Sequence, residues 1–149
     1  MAYASIVVGT DGSPTAERAV QQASELAALD GARLVVVTAF TPGGQPVEAA
    51  VDEVPDDIRF ALTDRVQAEA LAERGRKIAR DAGVGKVVVQ AIDGDPGDVL
   101  LEAAKDFDAD LIVVGSKGLT SHAHFILGSV AASVSHHAPC DVLVAHTTD

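Results

Sequence analysis

Five short runs of aliphatic, mostly β-branched residues constrain this chain more than any other feature. SIVVGT (5–10), RLVVVTAF (33–40), KVVVQAI (86–92), DLIVVGS (110–116) and DVLVAH (141–146) are apolar without strict in–out alternation. Strands buried on both faces of a parallel sheet read this way. A helical stripe fills each interval between them. Ala16, Ala19, Val20, Ala23, Leu26 and Ala27 form the first, behind Ser13 as cap and Pro14 in the first turn, and stop at Gly31. Ile58, Leu62 and Val66, then Leu71, Ile78 and Ala79, predict a long second helix ending at Gly83. Asp95-Pro96 opens a third, with Val99, Leu100, Ala103, Ala104 and Phe107 inward. A fourth is expected from Phe125 to His137, closed before Pro139. The order β-α-β-α-β-α-β-α-β requires crossovers, right-handed by preference, so the helices sandwich an open five-stranded parallel sheet.

At 149 residues the chain has the size of one α/β domain, taken as 1–149. Residues 41–57, TPGGQPVEAAVDEVPDD, are the one long irregular insert and are expected to form a flexible flap or rim. In a five-stranded sheet of flavodoxin type the last strand lies at an edge. There Asp141, Leu143 and Ala145 face one way, and Val142, Val144 and His146 the other. An apolar edge strand is a liability unless something pairs with it. A homodimer through residues 141–146 is therefore expected.

The formal net charge of -11 argues against nucleic acid as a partner. No apolar run approaches the roughly 18 residues of a membrane span, so no membrane partner is expected. The N-terminus lacks a basic n-region and enters a strand at once, so no signal peptide is expected. The single cysteine, Cys140, fits a reducing cytoplasm and reads as a small buried hydrophobe. The acid is unevenly placed. From Leu111 to Cys140 there is no Asp or Glu, while Lys117 and four of the five histidines lie there. An anion is least repelled in such a region.

Ligands of open α/β sheets sit at the carboxyl ends of the strands, where the strand order reverses. In this sheet that point falls between strands 1 and 4. Strand 1 ends in Gly9-Thr10-Asp11-Gly12 and strand 4 in Gly115-Ser116-Lys117-Gly118. Glycine turns there bring backbone N–H groups close to a phosphate. Gly128-Ser129 then enters the fourth helix, whose first amides and dipole favour an anion. Asp11 suits either a ligand contact or a cap of the first helix. Lys117 is the fixed cation of the loop, and His122 and His124 add conditional charge. The pair His122-x-His124 lacks a nearby acid or cysteine to complete a metal set, so no protein metal site is expected. His136 and His137 complement a helix C-terminus. Neither a GxxxxGK[ST] loop nor a GxGxxG after strand 1 is present.

The spacing Gly115-x-x-Gly118, nine residues, then Gly128-Ser129 resembles the G-2x-G-9x-G-(S/T) signature of the ATP-binding class of universal stress proteins. VVGTDGS, GDPGDVLLEAAKDFDADLIVVGSKGL and GSVAASVSHHAPCDVLVAH agree with that family, and the likeness spans the chain outside 41–57. The resemblance implies a flavodoxin-like, Rossmann-like sheet of order 3-2-1-4-5 and dimers through the last strand. It implies that Asp11, beside Gly9 and Thr10, lies against the nucleoside, and that Ala39 and Phe40 meet adenine through backbone. Gly115 and Gly118 would pass under ribose and phosphates, and Gly128, Ser129 and Val130 would donate to the phosphates. A divalent ion, Mg2+ or Mn2+, would be held through the phosphates rather than by a protein cage.

Two positions depart from the family pattern. The loop after Gly118-Leu119 reads TSHAH where members often carry Arg or Lys, and Ala131 stands where many have a hydroxyl. Both changes weaken the grip on a triphosphate and spare the nucleoside and first phosphate. The resemblance thus implies a cytoplasmic, homodimeric module that binds ATP or another adenine nucleotide and acts as a sensor. The alternatives are preference for AMP or a cyclic nucleotide, a partner-docking protein without nucleotide, and a weak ATPase. No catalytic residue is assigned, because no base is clearly positioned for phosphoryl transfer.

Overall fold

The computed structural model describes residues 2–40, 65–116 and 128–146. Among these residues five strands, β1 (Ser5–Gly9), β2 (Arg33–Phe40), β3 (Lys86–Asp93), β4 (Leu111–Gly115) and β5 (Asp141–Ala145), alternate with four helices. The helices are α1 (Pro14–Asp30), α2 (Arg65–Asp81), α3 (Pro96–Asp106) and α4 (Ser129–His137). The sheet is wholly parallel, in the order β3-β2-β1-β4-β5. This is the expected flavodoxin-like α/β architecture.

Period-two alternation along buried strands explains the unbroken apolar runs, because each face has its own core. Ile6, Val8, Leu34 and Val36 point to one face and meet Ala19, Val20, Ala23 and Ala27 of α1 and Ala79 of α2. Val7, Val35, Val37, Ile112 and Val114 point to the other, against Val99, Leu100, Ala103 and Ala104 of α3 and Ala131 and Val134 of α4. Each fully buried aliphatic side chain contributes about 1.5–3 kcal/mol.

The helix ends follow the sequence signals. Ser13 Oγ accepts the Ala16 amide at 3.2 Å, and Gly31 closes α1 in the left-handed region at φ 68°. Asp95 accepts the amides of Gly97 at 3.1 Å and Asp98 at 3.4 Å, satisfying α3's first donors. At the amino ends of the central strands, the Asp110 carboxylate accepts the amides of Ala4 at 2.9 Å and Ser5 at 3.0 Å. Arg33 donates to Ser5 Oγ and to the Phe107 carbonyl and lies over the Phe107 ring.

Two expectations need correction. Val66 is not part of the buried stripe of α2; it is 67% exposed. The buried residues of α2 are Ala68, Ala72, Gly75 and Ala79. The reason is close approach: a Cβ at Gly75 would stand 2.6 Å from Val36 Cγ1, so the contact face selects small residues rather than large apolar ones. Cys140 is only part-buried, at the rim of the second core. Ile58, Leu62, the 41–57 insert and residues 125–127 lie outside the described residues.

Both edge strands are half-exposed. On β5, Val142 and Val144 pack toward α3 and α4, Ala145 turns to the other face, and Leu143 is 38% exposed. On β3, Arg76 of α2 donates from Nη1 to the Val87 carbonyl at 3.4 Å.

Candidate nucleotide site

The carboxyl ends of β1 and β4 lie side by side, with Val8 paired to Val113. After Gly9 the chain must leave the sheet, and the local hydrogen bonds show how. The Thr10 amide donates to the Val37 carbonyl at 2.9 Å, the last rung between β1 and β2. The Gly12 amide then donates to Thr10 Oγ1 at 3.0 Å, and the Ser13 amide to Asp11 Oδ1 at 2.9 Å. Gly12 has φ 80°, a conformation side chains rarely adopt, and a Cβ there would stand 2.4 Å from Leu71 Cδ2 of α2. The Asp11 carboxylate thus serves the entry to α1. Its residue is exposed, and the carboxylate keeps acceptor capacity beyond this bond.

On the β4 side, Gly115 pairs with Ala145, and the Ser116 amide donates to the Ala145 carbonyl at 2.8 Å. The Gly128 amide donates to the Ser116 carbonyl at 3.3 Å, which brings the start of α4 back onto the end of β4. Gly115, Ser116, Gly128, Ser129 and Val130 are therefore brought together. Lys117, Gly118, His122 and His124 lie outside the described residues.

The start of α4 differs from the other two described caps. Ser13 and Asp95 cap α1 and α3 with their own side chains, whereas Gly128 makes no side-chain cap and the first turn of α4 holds no acid. The first intrahelical amide to find a carbonyl is that of Ala132, donating to Gly128 at 2.9 Å. The amides of Ser129, Val130 and Ala131 precede it in the first turn, where a helix supplies its N–H groups no partner of its own. Ser129 is exposed, while the Ala131 methyl is buried in the second core.

The end of β2 forms the third wall. The Val37 carbonyl points toward β1, where it meets Thr10, and the Phe40 carbonyl toward β3, where it accepts the Gly94 amide at 2.9 Å. Alternation then turns the amide and carbonyl of Ala39 toward the β1 side, above the point where β1 has left the sheet. Ala39, rather than Phe40, offers backbone groups to the crevice. The Phe40 ring is nearly buried, with the Arg65 guanidinium 5.0 Å from its centroid.

Pattern reading did not single out Arg65 or Leu71 as site neighbours. The helical period marked Leu71 as core, and nothing in the period marks Arg65. Among the described residues no set of three His, Cys, Asp or Glu side chains converges to hold a metal. Burial, with Asp141 and Asp110 nearby, pushes the Cys140 thiol up, away from nucleophile chemistry.

A family model described as the universal stress protein family matches residues 2–146. The chain belongs to that family. A universal stress protein of Mycobacterium tuberculosis is 38% identical over 147 residues, with 99% of each chain covered. Among solved structures, a universal stress protein in complex with cAMP matches with a TM-score of 0.74 at 34% identity, covering 99% of this chain and 100% of its own. The universal stress protein of Archaeoglobus fulgidus in complex with dAMP matches with a TM-score of 0.66 at 28% identity, covering 97% and 98%. As a family member the chain carries the shared sheet order, and among its described residues no helix is long and apolar enough to cross a membrane.

Proposed function

We propose that this universal stress protein binds an adenine mononucleotide, AMP or a cyclic form, in the crevice between β1 and β4, and acts as a sensor rather than a catalyst. The observation that carries this reading is the start of α4, which has no side-chain cap at Gly128 and is held on the end of β4 by the Gly128–Ser116 bond. Three amides at a helix N-terminus suit one phosphate group. Gly9, Thr10 and Asp11 would face the ribose, Ala39 the base through its backbone, and Gly115 and Ser116 the sugar–phosphate junction. The related structures holding cAMP and dAMP support a single phosphate.

ATP is the second reading, favoured by the Gly115-x-x-Gly118 and Gly128-Ser129 spacing. Its outer phosphates would rely on Lys117 and on a divalent ion, Mg2+ or Mn2+, which the phosphates themselves would hold.

Mass spectrometry of the nucleotide that co-purifies, followed by calorimetry with AMP, cyclic AMP, ADP and ATP, tests both. AMP or cyclic AMP binding more tightly than ATP is the expected result. Absence of binding for all four at about millimolar concentration, the weak end of specific recognition, would end the proposal.

The open β5 edge, with Leu143 exposed, supports a homodimer formed by pairing of residues 141–146. A dimeric mass in solution that Val144→Pro converts to a monomer is expected; a monomeric wild type would refute it. A cytoplasmic setting agrees with the lone cysteine.

A further inference from the structure

We infer that Arg65 is a specificity-determining residue of the crevice, its guanidinium stacking on the purine base of the nucleotide; this rests on the adenine-nucleotide reading above.

The placement of α2 carries the argument. Leu71 is pinned against the β1 turn, where a Cβ on Gly12 would be 2.4 Å from its Cδ2. Further along, Gly75 lies against Val36 of β2 with the same intimacy, 2.6 Å for the added Cβ. From Leu71 back to Arg65 the helix rises about 9 Å. Its first described turns therefore stand above the ends of β1 and β2 rather than beside them.

Phe40 meets Arg65 at that height. Val37 is level with Gly9 in the sheet register, and Phe40 is about 10 Å further along its strand. The Arg65 guanidinium lies 5.0 Å from the Phe40 ring centroid, inside cation–π range. Arg74 and Arg76 of the same helix are tied to Glu17 and Glu73, whereas among the described residues Arg65 makes no ion pair. Arg65 is exposed, and its guanidinium stands over the Phe40 ring.

A guanidinium that stacks on one aromatic ring can take a second on its other side. The Ala39 backbone, one residue before Phe40, points into the crevice and would engage the edge of a base. A base held there lies one strand from Phe40, about 5 Å to the side, within reach of a guanidinium on a long side chain. Arginine stacks on both faces as lysine does not. The larger π surface of a purine gains more from this than a pyrimidine does.

Calorimetry with AMP, CMP and ribose 5-phosphate on wild type, Arg65→Met, Arg65→Lys and Phe40→Leu tests the inference, with thermal midpoints recorded for each. Arg65→Met is expected to weaken AMP about threefold to tenfold, the size of a cation–π contact at a partly exposed site, and to leave ribose 5-phosphate unchanged. The AMP-over-CMP preference should shrink in parallel, Arg65→Lys should not restore it, and Phe40→Leu should weaken AMP in the same direction. Wild-type AMP affinity in Arg65→Met would overturn the role of Arg65 alone. Equal losses for AMP and ribose 5-phosphate would also overturn it, by showing a charge effect without stacking. A wild type that binds no adenine nucleotide overturns the functional reading and this inference together.

Discussion

The Asp110 carboxylate accepts the amide hydrogen of Ser5 at 3.0 Å, joining the entry of β4 to the entry of β1. Burial pushes this carboxyl up, but the amide hydrogens of Ser5, Ala4 and Asp110 itself outweigh it and hold the group below its usual 3.8. A depressed carboxyl stabilises the fold above its unfolded value and loses that contribution as pH falls through the folded one. Thermal midpoints between about pH 2.5 and 7 should therefore fall on the acid side, and Asp110→Asn should flatten that limb while lowering the neutral plateau. Parallel limbs in the two proteins would dismiss the latch.

Gly75→Ala sets two effects against each other. Alanine gains about 1 kcal/mol of helix propensity over glycine. Its Cβ, however, would stand 2.6 Å from Val36 Cγ1, on a fully buried β-branched side chain that has little room to turn. Overpacking of this kind costs about 1–3 kcal/mol, so a net loss in denaturant midpoint is expected. In a Val36→Ala background the same change should cost less or become stabilising, which a double-mutant cycle would read directly.

Gly12→Ala should be damaging chiefly through backbone. Its φ of 80° lies where an L side chain costs about 1–2 kcal/mol, and the Leu71 methyl must also move. Because Gly12 fixes the turn that carries Thr10 and Asp11, nucleotide affinity should fall along with stability. Full affinity in a destabilised variant would separate this turn from the site.

Thr38 is 2% exposed, and its hydroxyl finds no hydrogen-bond partner among the described residues. A buried hydroxyl left unpaired costs about 1–3 kcal/mol, whereas a methyl of the same shape does not. Thr38→Val should therefore match or exceed the wild type in urea midpoint. A clear loss would reveal a partner for that hydroxyl, such as an ordered water.

These substitutions also mark how far the sequence could be read. The five strands and the caps at Ser13, Gly31 and Asp95 were legible because burial on two faces and helix ends both leave local residue signatures. The meeting of the Gly9 and Gly115 turns followed from strand order. What escaped was contact across the fold. Val66 was read as core because hydropathy reports affinity for an interior, not distance from one. Gly75 and Ala68 carry the α2 contact because β2 lies too near for larger residues. Asp11 could be read as cap or ligand contact; the Ser13 bond makes it a turn residue ahead of the helix, with Ser13 itself as the cap. Arg65 could be connected to Phe40 only once α2 had been placed.

The bond from Arg76 to the Val87 carbonyl sets a limit on growth. A sheet that joins its copy through β5 leaves β3 at both outer ends of the joined sheet. At each end a guanidinium already occupies an outward acceptor and stands in the path of an arriving strand. Were two copies to pair through β5, strand-by-strand addition would stop after that one pairing, giving a closed unit rather than a polymer.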